Sequence, residues 1–130
     1  MTTTPTTPRT PGAEGHHDDV VYKICPTNAW VEALRSGELF PSPDDIRDGF
    51  VHLSAKSQVR STLARHYAGE TDLMLLSVAV AKLPTGTLHW EKSHRGQEFP
   101  HLYGALAVSS VLEATPLGAN AAGFELPEGF

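Results

Sequence analysis

A single cysteine, Cys25, stands in a chain of 130 residues, so no internal disulfide can form and nothing marks the protein for an oxidising compartment. No apolar run approaches the ~18 to 20 residues that span a bilayer, and the N-terminus lacks the charged and then apolar pattern of an export signal. A reduced cytoplasm is the expected location, with no membrane partner. A basic excess is missing as well: 15 acidic and 10 basic side chains give a net charge of −5, and Lys and Arg are scattered rather than gathered in a stripe. That excludes a nucleic-acid backbone as the main partner and leaves a small-molecule ligand. HExxH, paired CxxC, GxSxG, Walker A and GxGxxG are all absent, so zinc protease, serine-triad and dinucleotide-loop chemistry have no sequence signal.

With 40% hydrophobic residues, the chain can bury one core without metal clips. Residues 1–19 interleave Thr with Pro5, Pro8 and Pro11 and contain few apolar side chains. Such a segment cannot offset ordering costs of roughly 1–2 kcal/mol per residue, which predicts a disordered tail. Residues 20–117 read as a single α+β domain, and residues 118–130, rich in glycine, as a loosely docked extension.

Val20–Ile24 is a β-rich run ended by Pro26, followed by a helix over Asn28–Ser36, capped by Thr27, with Trp30, Ala33 and Leu34 inward and Gly37 as its stop. The stretch holding Pro41, Pro43, Asp44, Asp45, Asp48 and Gly49 reads as a loop whose acids face solvent or cap a turn, because the distal Glu of a calcium loop is missing. Phe50–Ser54 is the second strand. Val59, Leu63 and Tyr67 mark the buried face of the second helix, closed by Gly69. Leu73–Val80 is apolar on both faces and predicts the centre of the sheet. Shorter strands are expected at Leu88–Glu91, Leu102–Tyr103 and Val111–Thr115, with Pro100 in a turn and Pro116 as a stop. Early helices and late strands indicate α+β, with two main helices and a small, split, mostly antiparallel sheet.

Strand alternation puts His52 and Ser54 on one face, either as an acid/base or ribose-binding pair or as a hydrogen-bonded pair on a half-exposed sheet. His101 and Tyr103 likewise share a face, and Pro100 fixes the backbone ahead of them. Glu91 points with His89. Trp90, opposite, is either core or a stacking wall for a ring. Arg95 belongs to the compact basic patch Lys92–Gln97, either a phosphate contact or a solvated turn, while Arg65 and His66 suit a helix C-terminus. Cys25 reads as a buried, inert thiol.

The runs Val21-Tyr22-Lys23-Ile24-Cys25-Pro26, Asp48-Gly49-Phe50-Val51-His52-Leu53-Ser54, Leu88-His89-Trp90-Glu91 and Phe99-Pro100-His101-Leu102-Tyr103-Gly104 resemble the bacterial domain-of-unknown-function 952 family over about residues 20–117. The layout is similar to a compact ADP-ribosyltransferase fold. That resemblance implies NAD or a related nucleotide as ligand. It implies His52 at the second-strand position against the nicotinamide, and His101 or Glu98 near the late acidic position. Lys23 stands where those enzymes usually carry a first-strand histidine.

The expected function is binding of a nucleotide-like or ribosyl small molecule in a sheet cleft. His52 and His101 act as catalytic acid/base groups, Ser54, Tyr103 and Glu91 as polar partners, Trp90 as a wall, and Lys23 and Arg95 as anion contacts. The alternatives are a non-catalytic sensing module or pseudoenzyme, and a metal-dependent hydrolase in which distant histidines converge.

Overall fold

The computed structural model describes residues 18–93, 96–120 and 123–130. All but two residues of the expected N-terminal tail, and Arg95 of the basic patch, lie outside them. The chain runs β1 (Val20–Pro26), α1 (Thr27–Ser36), β2 (Glu38–Leu39), α2 (Pro43–Asp48), β3 (Val51–His52), α3 (Val59–His66), β4 (Leu73–Ala79), β5 (Leu88–Lys92), β6 (Glu98–Leu102), β7 (Leu106–Ala107), β8 (Val111–Asn120) and β9 (Gly123–Glu125). This is an α+β chain dominated by antiparallel strands. Its sheets have the orders β1-β4-β8-β9, β3-β6-β5 and β2-β7.

β4 is internal, as its two apolar faces require. Met74, Leu76 and Val78 enter one core cluster with Val21, Cys25, Trp90 and Leu102. Leu73 and Leu75 enter the other with Ile24, Val59, Leu63 and Leu117. The period of two thus gives one strand two cores.

The split in the sheet has one visible seam. Tyr22 on β1 and Ser54, just beyond β3, form an isolated antiparallel bridge in which each amide donates to the other's carbonyl at 2.8 Å. This bridge is the link between the four-stranded and three-stranded sheets among the described residues.

Several expectations need correction. The acidic loop contains helix α2, because Ser42-Pro43-Asp44-Asp45 is a capping box: the Asp45 amide donates to Ser42 Oγ and the Ser42 amide donates to Asp45 Oδ2. Thr27 does not cap α1; its amide and hydroxyl both donate to the Asp72 carbonyl, and Pro26 holds the cap position. Leu34 is 58% exposed rather than inward. Pro100 lies within β6, opposite Trp90, with its carbonyl accepting from the Leu53 amide. Pro116 lies within β8, opposite Met74. The residues expected to dock loosely instead continue β8, add β9 and end with Phe130 edge-on against Tyr22, ring centres 5.0 Å apart. No helix among the described residues is long and apolar enough to cross a membrane.

Candidate functional site

A cavity of about 520 Å³ lies beside the Tyr22–Ser54 seam, lined on one side by Tyr22, Lys23 and Ile24 and on the other by His52, Leu53 and Ser54. Its volume falls within the ~300–1,000 Å³ usual for small-molecule sites. β6 supplies His101, α2 supplies Asp45 and Asp48, and the end of α3 supplies Arg65 and His66.

The antiparallel register places His52 on β3 directly opposite His101 on β6. Their ring centres are 5.8 Å apart. Each ring is held by its own carboxylate. The His52 Nδ1 lies 2.6 Å from Asp45 Oδ1, and the His101 Nδ1 lies 2.7 Å from Glu91 Oε1. Tyr103 donates its hydroxyl to that same Glu91 oxygen at 2.8 Å. Phe50 stacks on His101, with centres 3.8 Å apart and planes within 19°, and so fixes the second ring from its face.

Asp45 is the hub. Its side chain is 1% exposed, yet it accepts from the Lys23 ammonium at 3.0 Å, from the His52 amide at 3.0 Å and from the Ser42 amide. Burial alone would raise its carboxyl. The His52 ring, Lys23 and the two amides outweigh that and hold it well below the usual carboxylate range. At the rim, Arg47 chiefly, against a smaller burial effect and helped by His52, holds Asp48 at about 2. Asp48 Oδ2 lies 2.9 Å from His52 Nε2. Since both carboxylates only accept, both contacts to His52 are hydrogen bonds only in the doubly protonated ring.

His101 differs. Burial pushes its ring below the ordinary histidine value, with Glu91 opposing, while Glu91 is held low by His101 and Tyr103 against its own burial. With Nδ1–H donated to Glu91, the neutral ring keeps its lone pair on Nε2. No partner meets Nε2 among the described residues, and no fully buried side-chain nitrogen or oxygen there is left unpaired. His101 lines the cavity, with Nε2 unpartnered among the described residues.

The structure brings His52, His101, Lys23 and Ser54 to one cavity. Glu91 and Tyr103 stand behind His101 as its hydrogen-bond partners. Two expected roles are corrected. Trp90 is 6% exposed and packed in the core, so it offers no wall to a ligand, and the buried Lys23 ammonium is taken by Asp45 and the His52 carbonyl rather than held for an anion. Ser54 Oγ is hydrogen-bonded to Thr62 Oγ1. Glu98 opens β6, where its carbonyl accepts from Gln58. Arg95 lies outside the described residues. Asp45, Asp48 and Phe50 were not assigned to the site by sequence; the S-P-D-D capping signature was the available signal for Asp45. No group of three or more His, Cys, Asp or Glu side chains among the described residues is placed to hold a metal ion.

Residues 24–114 match the family described as "Protein of unknown function (DUF952)", and the chain belongs to that family. It is also similar to the protein CC0527 from Caulobacter crescentus. The crystal structure of CC0527 is 39% identical, with a TM-score of 0.75 over 80% of this chain and 90% of that one. The solution structure of CC0527 gives 39% identity and a TM-score of 0.72 over 82% and 91%. A comparison with curated proteins returns no match. None of these relatives is described as an ADP-ribosyltransferase.

Proposed function

We propose that the cavity binds a ribosyl-bearing small molecule and acts on it by histidine acid/base chemistry. One observation carries this reading: two histidines face each other across paired strands, 5.8 Å apart, each fixed by a separate carboxylate. Their environments differ: burial lowers the proton affinity of the His101 ring, while His52 stands between the Asp45 and Asp48 carboxylates, an arrangement that suits His101 as base and His52 as acid. His101, whose ring burial pushes below the ordinary histidine value and whose Nε2 is unpartnered among the described residues, takes a proton from an attacking hydroxyl. The oxygen bonds to the ribosyl carbon as the bond to the leaving group breaks, and His52 gives a proton to the departing atom. Compact ADP-ribosyltransferase-like architecture is the finer form of this reading, supported by the split antiparallel sheet with its cleft at the seam.

Incubation with NAD, ADP-ribose and nucleosides, followed by product analysis, tests the reaction. His101→Asn is expected to lower turnover by about 10²–10⁴-fold with little change in binding, and the acid limb of the wild-type profile should fall below the ordinary histidine value of about 6.5. Intact ligand after prolonged incubation with a protein that binds it would reject turnover.

A second reading, a sensing module without turnover, is favoured by one contact: Asp48 occupies His52 Nε2, the atom from which the acid would donate. In that case ligand stabilises the protein and emerges unchanged.

A further inference from the structure

Among the described residues, the charged and histidine side chains that line the cavity are partnered within the protein, with two exceptions. Lys23 is bound by Asp45, Arg47 by Asp44 and Asp48, His52 by Asp45 and Asp48, and His101 by Glu91. Arg65 and His66, on the last turn of α3, line the same cavity and meet no acidic or hydrogen-bonding partner among the described residues. The acidic groups of the lining thus each have a partner already, and Arg65 and His66 line the same chamber as the histidine pair.

The geometry points to Arg65 and His66 as the anchoring site for a phosphate or pyrophosphate group of the ligand, which makes the cavity's substrate a nucleotide rather than a free nucleoside or sugar. The inference rests on the ribosyl reading of the His52–His101 pair. Arg65 offers planar, permanently charged donors suited to two phosphate oxygens, and His66 adds a further N–H. The nearby hydroxyls do not compete for the same task, because Tyr67 donates to the Ile24 carbonyl and Thr62 pairs with Ser54. A cation at a helix C-terminus also complements the helix dipole, a role that moves stability but not ligand selectivity.

Calorimetric titration with AMP, adenosine and inorganic pyrophosphate separates these roles. The full chain is expected to bind AMP at least about tenfold more tightly than adenosine, as one or two charge-assisted hydrogen bonds would give, and the contrast should shrink as salt rises. Arg65→Ala and Arg65→Ala/His66→Ala should bring AMP down to the affinity of adenosine while leaving adenosine binding unchanged, which also shows that the variants are folded. Equal binding of AMP and adenosine by the wild type, or a contrast that survives both variants, overturns the phosphate site and leaves the ribosyl reading intact. Pyrophosphate binding that depends on Arg65, with neither AMP nor adenosine bound more tightly than pyrophosphate, keeps the anion site and rejects the ribosyl reading. Absence of binding by all three probes rejects both.

Discussion

Asp45 connects three parts of the chain through one carboxyl group: the cap of α2, the Lys23 ammonium on β1 and the His52 ring on β3. Removing its charge strands a buried Lys23, 4% exposed, without its counter-ion. Loss of one member of a buried pair typically costs about 3–5 kcal/mol, and Asp45→Asn is expected to fall in that range by chemical denaturation. Lys23→Met combined with Asp45→Asn should cost less than Asp45→Asn alone; an equal or greater loss would mean the capping bonds, not the ion pair, dominate. The pH dependence follows from the depressed carboxyls. Asp45 and Asp48 both sit below their unfolded values of about 3.9, so their contribution is complete above that pH and is lost as pH falls below it, for Asp48 toward about 2. His52 and His101 were legible from alternation and motif. Glu91 was legible as a polar site residue, but Asp45 was not, because it reaches the His52 ring through the placement of α2, which linear spacing does not reveal.

At the scale of elements, α2 is the piece that sequence pattern hid. Six residues are too few for an apolar period to register, and its signal is a cap rather than a stripe. The strands β1, β4 and β5 were read nearly to their ends because β-branched or apolar runs define them. The boundaries fail where proline reads as punctuation: Pro100 and Pro116 sit inside β6 and β8, where long-range pairing outweighs the local preference. Gly49 ends α2 with φ +84°, and a Cβ added there would meet nothing within 4 Å. The cost of Gly49→Ala is therefore conformational, about 1–2 kcal/mol, and because Gly49 joins Asp48 to Phe50, ligand affinity should weaken along with the melting temperature. A melting temperature equal to wild type would refute that account.

Over the whole molecule, two cores share β4, and the C-terminal segment closes the second. Phe130 packs on Tyr22, carries the Lys56 ammonium over its ring at 5.3 Å, and accepts from Arg60 through its carbonyl. Phe130→Ala is expected to cost about 1–2 kcal/mol, read as a shift in denaturation midpoint with unchanged slope, whereas a loosely docked end would leave the midpoint where it was. Early helices and late strands in the sequence indicate a mostly antiparallel α+β plan, and the sheets follow it. The docking of the last residues escaped sequence because Gly118 and Gly123 dilute a pattern that only pairing between β8 and β9 makes coherent.

The Asp45 hub also constrains how this chain can diverge. A substitution at Asp45 breaks a contact of Lys23, Ser42 and His52 at once, whereas a change in any one of those three side chains breaks its own contact with Asp45. Descendants that abandon His52 leave Asp45 without its ring contact but still bound to Lys23 and Ser42. Those that keep Asp45 for its structural duties retain a preassembled half of the site, from which activity toward a new ligand can arise without rebuilding the scaffold.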